Sequence, residues 1–240
     1  MCFKKIKSLF EEDKIVIPDK PILTIEEEYI TRYPRANVNY GARPFVFKDN
    51  GKTKTIQVNM DIRNFFCPVD FNTRLITARN GLDQGTDDEK ALKCLKWVID
   101  HIKYTSDETQ EGYAEYWQFA FETLTTYRGD CEDGSVLLKN LCDAAGVSFW
   151  KTRLSAGPVK GGNHAYVTYY YVDTLKIEEI WVKNKTVLLD WCYNPDRETP
   201  IKDRPSYKDN ELYEGPVWFS TDGINSYGEQ GKIAARMKKL

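Results

Sequence analysis

Three residues of this 240-residue chain are of the types that make up a thiol-nucleophile triad, and they follow one another as cysteine, histidine and aspartate. Cys131 lies in a Gly-Asp-Cys-Glu-Asp string that begins an apolar helical pattern, His164 opens a β-rich stretch, and Asp190 closes another. A helix N-terminus and a neighbouring histidine both favour the thiolate form of a cysteine. The histidine can then move the proton while the aspartate fixes its tautomer. The order predicts a cysteine hydrolase or acyltransferase.

The elements that must position these residues are predicted from the spacing of apolar residues, which is helical before Gly146 and typical of strands after it. Apolar residues recur at helical spacing in three separate stretches. The first follows an N-cap at Thr86, the second covers Tyr116 to Thr123, and the third runs from Asp130 to Gly146. From Val147 onward the apolar period changes to two, which is typical of strands. Helices followed by an antiparallel sheet predict an α+β fold.

Domain boundaries follow from the same pattern. Residues 81–195 carry the helices, the strands and the three candidate residues, and are predicted to form the catalytic core. Residues 1–80 are predicted to form an N-terminal arm and a small β-rich extension. The turn signal Asp49-Asn50-Gly51 predicts a hairpin tip over Lys48 to Lys54. Residues 196–240 are predicted to be a turn-rich C-terminal extension.

Composition excludes several classes of partner. The net charge of −2 and the pI of about 5.9 do not indicate the excess of basic residues that is typical of nucleic-acid-binding proteins. No apolar run approaches the roughly 20 residues that span a bilayer. Residues 1–10 lack the apolar stretch and cleavage site of a secretory signal, so no such signal is predicted. The six cysteines form no disulfide framework, and two histidines cannot make a histidine-rich metal site. We therefore predict a protein of the cytoplasm or of a virion, with reduced thiols.

Around Cys131 the chain resembles the transglutaminase-like superfamily, and within it the bacterial transglutaminase-like cysteine proteinases. The resemblance runs from Leu92 to about Pro195 and rests on Trp97–Tyr104, Tyr116-Trp117-Gln118, Gly129–Asp133, His164-Ala165 and Leu189-Asp190. It implies a papain-like core in which Cys131 is the nucleophile, His164 the base and Asp190 the orienting residue. It also implies that Gln118 or Trp117 completes the oxyanion hole.

The acids around the cysteine have two interpretations. Some members of the superfamily bind calcium through acids that flank the nucleophile, which in this chain are Asp130 and Glu132. Helix capping and the helix dipole explain Asp130 and Asp133 without a metal, so no cofactor is predicted to be required. Carboxylates beside a thiolate nevertheless oppose its formation, and a cation would relieve that repulsion.

Three functions are compatible with this sequence. The first is a cysteine peptidase that forms a thioester acyl-enzyme on a protein or peptide substrate. The second is a transglutaminase or other acyltransferase, in which an amine replaces water at the thioester. The third is a structural or assembly protein, for example of a virion, that retains the fold and joins a larger assembly through its N- and C-terminal extensions. An intact triad favours chemistry.

Overall fold

The computed structural model describes residues 40–67, 69–172, 184–214, 218–220 and 226–228. The strands are β1 (Tyr40–Asp49), β2 (Lys52–Asp61), β3 (Lys103–Tyr104), β4 (Arg128–Gly129), β5 (Thr152–Val159), β6 (Gly162–Val172), β7 (Asn184–Leu189), β8 (Trp218–Ser220) and β9 (Ser226–Gly228). The helices are α1 (Phe71–Arg79), α2 (Asp87–His101), α3 (Asp107–Gln110), α4 (Ala120–Thr126) and α5 (Cys131–Ala144). Short 3₁₀ helices lie at Ile62–Phe65, Ile201–Asp203 and Tyr207–Asp209. The predicted α+β order of helices followed by an antiparallel sheet is confirmed.

The main sheet has five strands in the order β7-β6-β5-β8-β9, and every pairing in it is antiparallel. In the pair of β6 and β7, Val167 lies opposite Leu189. The beginning of β6 therefore lies beside the end of β7, and both reach the same edge of the sheet. This register brings His164, near the start of β6, next to Asp190, which directly follows β7.

Helix α5 is the buried centre of the helical layer. It begins after Asp130, whose amide donates to the carboxylate of Asp133 at 3.2 Å, and it ends before Gly146, which has a φ of +74°. Leu138 and Leu141 are fully buried and belong to the main hydrophobic cluster. All residues from Glu132 to Cys142 are buried, polar ones included, so other elements enclose the helix. The first turn of α5 is thus fixed by tertiary packing.

The remaining core of that cluster comes from α2 and from the sheet. Its members from α2 include Cys94, Leu95 and Val98, and those from the sheet include Val167 and Leu189. The N-terminus of α2 has the predicted N-cap at Thr86, and it forms a capping box in which Thr86 and Glu89 exchange side-chain and backbone hydrogen bonds. Helix α2 therefore begins at the residue that the sequence indicates.

Two elements differ from the predicted bounds. Helix α4 begins at Ala120 and not at Tyr116, because the amide of Trp117 donates to the carbonyl of Ala42 in β1 and the amide of Phe119 donates to the Glu122 carboxylate. These bonds hold the residues before α4 in an extended form. Strand β5 begins at Thr152 and not at Val147, since a turn over residues 148–151 separates it from α5.

Two further predictions concern the flanks of the core. The hairpin of β1 and β2 turns at Asn50-Gly51 as predicted, with Asp49 opposite Lys52. The period of two also predicts a strand over residues 177–182, which lie outside the described residues. Strands β8 and β9 come from the C-terminal extension and continue the main sheet beyond β5. In the described part of the chain, no helix has the length and apolarity needed to cross a membrane.

Candidate active site

His164 and Asp190 form a direct hydrogen-bonded pair. Nε2 of His164 lies 2.6 Å from Oδ2 of Asp190, and both residues are buried. Because an ionised carboxylate only accepts hydrogen bonds, the proton of the pair is on Nε2. The second ring nitrogen, Nδ1, is thereby the one that can serve as a base. The structure brings together the predicted base and its predicted orienting residue.

The Asp190 carboxylate is supplied with donors on both oxygens. Oδ2 accepts from His164 and from the hydroxyl of Tyr213, while Oδ1 accepts from the amides of Cys192 at 3.0 Å and Tyr193 at 3.1 Å. Burial raises the pKa of Asp190, but the hydrogen bonds from His164, Tyr213 and Cys192 outweigh it and hold the pKa below its usual range. Asp190 is therefore an anion at neutral pH.

Aromatic rings enclose the His164 imidazole. The ring centroids of Tyr166, Tyr193 and Tyr213 lie 5.7, 5.2 and 6.5 Å from that of His164. Tyr213 also packs edge-on against Tyr166 and Tyr193. This packing restricts the orientation of the imidazole and reduces its contact with water.

A second thiol lies beside the histidine and aspartate. Ligand atoms of His164, Asp190 and Cys192 are all within 4.8 Å of one another. Burial raises the pKa of the Cys192 thiol, and the charge of Asp190 raises it further. Cys192 is therefore a neutral thiol. Its position so near the histidine is a feature that the sequence analysis did not single out.

The first turn of α5 packs against the same edge of the sheet. The indole nitrogen of Trp191 donates to the carbonyl of Cys131 at 3.2 Å. The backbone amide of Ala165 forms a hydrogen bond with the Cys131 sulfur that favours the thiolate. Ala165 and Trp191 directly follow His164 and Asp190 in the chain. The predicted nucleophile is thus anchored to the neighbours of both other candidate residues.

A glycine in α5 makes this packing feasible. A methyl group added at Gly134 would lie 2.2 Å from the indole of Trp191. Only glycine therefore lets the indole lie this close to the helix. Because Trp191 follows Asp190, the contact also fixes the end of β7.

The immediate environment of Cys131 disfavours its thiolate. Burial raises the pKa of the Cys131 thiol well above its ordinary value, and the carboxylates of Glu132 and Asp130 raise it further. The thiol donates to Oε2 of Glu132 at 3.1 Å. Ionisation of Cys131 therefore needs a positive charge that offsets these two acids.

The acids near Cys131 form a compact group, which we call the acid cluster: Asp107, Glu115, Asp130 and Glu132. Oxygens of Asp107, Glu115 and Glu132 lie within 4.8 Å of one another, as do those of Asp107, Asp130 and Asp133. Burial, with the charge of Asp130, raises the pKa of Asp107 to about 7. Burial also raises the pKa of Glu132 well above its usual range.

Several oxygens of the acid cluster lack hydrogen-bond donors. Within the described ranges, Oδ1 of Asp107, Oδ1 of Asp130 and Oε1 of Glu132 are buried without a partner. A buried carboxylate oxygen without a donor is costly, and a cation removes that cost. A group of clustered carboxylate oxygens is the donor set that calcium prefers. The residues present therefore fit a calcium ion.

The two residues predicted for the oxyanion hole are both attached to acids. The backbone amide and Nε2 of Gln118 each donate to the Asp133 carboxylate at 2.7 Å. The Trp117 side chain forms a hydrogen bond with Glu115. Gln118 thereby fixes the first turn of α5 through Asp133. A role of either residue in an oxyanion hole stays a prediction.

A comparison with protein-family models supports the resemblance. Residues 76–185 match the model of the transglutaminase-like superfamily, and this range includes Cys131 and His164. These residues form a transglutaminase-like domain. The resemblance that the sequence predicts is thus confirmed, and Asp190 lies just beyond the matched range. A search of curated proteins found no match.

Solved structures with a similar fold include LapG of Legionella pneumophila. The EGTA-treated form is 17% identical, with a TM-score of 0.46 over 71% of this chain and 85% of that chain. The calcium-bound form is 18% identical, with a TM-score of 0.38 over 70% of this chain and 98% of that chain. At these identities and TM-scores, the likeness gives no information about the chemistry of the present chain.

Proposed function

We propose that this protein is a cysteine peptidase that cleaves a protein or peptide substrate through Cys131, His164 and Asp190. The observation that carries the proposal is the His164–Asp190 hydrogen bond of 2.6 Å, with the carboxylate held as an anion by donors on both oxygens. A histidine oriented in this way is the base that a thiol nucleophile requires. The packing of Ala165 and Trp191 on the first turn of α5 supports Cys131 as that nucleophile.

The reaction begins with attack of the Cys131 sulfur on the carbonyl carbon of the scissile bond. Nδ1 of His164 takes the thiol proton and returns it to the leaving amine, while Nε2 keeps its hydrogen bond to Asp190. The product of this half is a thioester on Cys131. Water, activated by His164, then hydrolyses the thioester and regenerates the thiol.

The oxyanion of the tetrahedral intermediate needs hydrogen-bond donors. The backbone amide of Cys131 belongs to the first turn of α5, where amides have no carbonyl partner within the helix. Such an amide, in a site with little water, stabilises a developing negative charge. Gln118 and Trp117 remain the candidates for a second donor.

The second part of the proposal is that Asp107, Asp130 and Glu132 hold a calcium ion. Helix capping explains Asp133, which accepts the amide of Asp130, but it leaves three buried oxygens of the acid cluster without donors. When bound, calcium would supply positive charge that offsets the acids raising the pKa of Cys131. Glu115, whose oxygen lies within reach of Asp107 and Glu132, would add a further ligand.

The experiment that tests this function uses an activated ester, because no natural substrate has to be known. The full chain is incubated with p-nitrophenyl acetate in calcium-containing buffer, and the acetylated cysteine is located by peptide mass spectrometry. We expect acetyl transfer to Cys131 in the wild type and none in Cys131→Ala. Equal acetylation of all accessible cysteines would contradict the proposal.

The products formed from the same acyl-enzyme distinguish a peptidase from an acyltransferase. The acetyl thioester is allowed to decay in the presence of a primary amine, and the products are acetate or an acetylated amine. Predominant acetate supports a peptidase. Predominant acetylated amine would replace the peptidase by a transglutaminase-type transferase with the same three residues.

A further inference from the structure

Tyr213 belongs to the C-terminal extension, beyond residues 76–185 that match the superfamily model. Its hydroxyl donates a hydrogen bond to Oδ2 of Asp190. The same oxygen binds Nε2 of His164. A residue from outside the matched domain thus contacts the carboxylate that orients the candidate base.

The backbone around Tyr213 is fixed to strand β5. Tyr213 forms an antiparallel bridge with Val159, the amide of Lys160 donates to the carbonyl of Leu212 at 2.9 Å, and the amide of Glu214 donates to the carbonyl of Pro158 at 3.1 Å. These bonds place the tyrosine at the end of β5, and β5 is paired with β6, which carries His164. The position of Tyr213 is therefore set by the main sheet.

The side chain of Tyr213 is also fixed. It is buried, and its ring centroid lies 5.2 Å from that of Tyr166 and 5.7 Å from that of Tyr193. A hydroxyl held by packed rings and a paired backbone is preorganised for its acceptor.

We propose that Tyr213 is a positioning residue of the active site, which holds the Asp190 carboxylate and, through it, the His164 ring. The inference rests on the proposed function and extends it, because it makes the C-terminal extension part of the active site. Tyr213 acts through Asp190 and is not itself a catalytic residue.

The physical reason lies in how the carboxylate is restrained. The torsion that turns a carboxylate about its last bond is broad, so hydrogen bonds have to define its plane. The amides of Cys192 and Tyr193 hold Oδ1, while Tyr213 and His164 share Oδ2. Without the hydroxyl, only the imidazole would hold Oδ2, and the direction of the hydrogen bond to His164 would vary more.

The chain offers a matched control in Tyr166. Its ring packs on both His164 and Tyr213, but its buried hydroxyl has no hydrogen-bond partner among the described residues. Tyr213→Phe and Tyr166→Phe therefore each remove one buried hydroxyl and keep the ring. They differ in whether that hydroxyl reaches Asp190.

The test measures the rate constant for acetylation of Cys131 by p-nitrophenyl acetate, with melting temperature as a check on folding. We expect Tyr213→Phe to slow acetylation about tenfold, as the loss of a hydrogen bond to a charged group implies. Tyr166→Phe should slow acetylation less than Tyr213→Phe does, since it removes no contact with the aspartate. Both variants should melt as cooperatively as the wild type.

A double-mutant cycle shows whether Tyr213 acts through Asp190. In an Asp190→Asn background, Tyr213→Phe should cause no further loss, because the acceptor it positions is already gone. A purely structural role would give the same fractional loss in both backgrounds and would overturn the inference.

The remaining outcomes separate the inference from the proposed function. If Cys131 is acetylated in the wild type and Tyr213→Phe reacts at the same rate, the inference is overturned and the peptidase proposal stands. If Cys131 of the wild type is not acetylated at all, the proposed function fails, and the role of Tyr213 fails with it.

Discussion

Asp190 and the two buried acids of the acid cluster, Asp107 and Glu132, are two sets of carboxylates that differ in how their charge is compensated. Burial raises the pKa in both sets, but Asp190 accepts from His164, Tyr213 and two amides, and its pKa falls below the usual range. Asp107 and Glu132 keep buried oxygens without donors, and the pKa of Asp107 rises to about 7. The supply of hydrogen-bond donors and the charges of neighbouring groups, and not burial alone, decide whether a buried acid is an anion.

The difference indicates two purposes for chemically similar groups. The protein itself completes the environment of Asp190, so this anion is available to orient a histidine without any added component. The acid cluster is incomplete as a set of anions and would be completed by a cation. On this account both sets act on Cys131. Asp190 acts by orienting the base His164, and the acid cluster acts because its negative charge raises the pKa of the thiol.

The largest expected effect is that of removing the nucleophile on which both sets act. Cys131→Ala should lower acyl transfer by at least about 1,000-fold, as loss of a nucleophile does in other triads. The melting temperature should change little, because a small, partly buried side chain is shortened by one atom. Acetylation rates and thermal melting provide the measurements. Cys67→Ala, which alters an exposed thiol, is the control and should leave both unchanged.

Replacing a carboxylate of each set by its amide should change the stability of the protein in opposite directions. Asp190→Asn should reduce acyl transfer by about 100-fold or more, through loss of the histidine tautomer. It should also lower the melting temperature, since an amide cannot accept from every donor that converges on Asp190. Circular dichroism melts and acetylation rates test this pair of effects.

Glu132→Gln should act in the opposite direction on stability when calcium is absent. Burial raises the pKa of Glu132, so folding has to protonate this carboxyl or bury its charge. The amide avoids both costs, so the melting temperature in chelator should increase. If the Asp190 and Glu132 variants lose stability alike, the two sets of carboxylates do not differ in the way proposed.

Removal of metal should act on the protein through the acid cluster. A chelator is expected to lower the melting temperature of the wild type, and added calcium should restore it in a concentration-dependent manner. Glu132→Gln should abolish most of this response, whereas Tyr166→Phe should keep it. Calorimetric titration with calcium gives the number of sites. A melting temperature that is indifferent to both chelator and calcium would favour helix capping as the only task of these acids.

The smallest expected effect is on the pH dependence of stability. In the folded state the pKa of Asp107 is raised from 3.8 to about 7, so the folded form binds the proton more tightly than the unfolded form. In calcium-free buffer its contribution to stability should therefore be present in acid and decline as the pH rises from about 4 to about 7. Asp107→Asn should remove this decline from the melting temperatures measured across that range.

Asp190 should contribute with the opposite sign. Its folded pKa is lowered, so its stabilisation is present above the ordinary aspartate pKa of about 4 and is lost below it. Asp190→Asn should therefore flatten the acid side of the profile and leave the neutral side in place.

Sequence patterns predict the local parts of this site and miss the distant ones. The capping box at Thr86, the helix that begins after Asp130 and the strand that carries His164 all follow from neighbouring residues and periodicity. Tyr213 lies 23 residues beyond Asp190 in a segment without a periodic pattern, so no local signal connects them. Its role depends on the pairing of the tail with β5, which only the folded sheet provides.

The acid cluster shows the same limit. Asp130 and Glu132 flank the nucleophile and could be selected from the sequence. Asp107 belongs to α3 and Glu115 to the segment after it, and only the fold brings their oxygens to Glu132. Likewise, the early start predicted for α4 fails because the contact between Trp117 and β1 overrides helical spacing.

Competitive labelling of all cysteines by iodoacetamide at neutral pH tests the central claim most directly. The claim is that Cys131 is an activated nucleophile whose ionisation depends on compensation of the acid cluster. In calcium, Cys131 should be alkylated faster than the exposed Cys67, and a chelator should slow its alkylation by about tenfold while Cys67 is unaffected. Alkylation of Cys131 in calcium at a rate no greater than that of Cys67 would contradict the account.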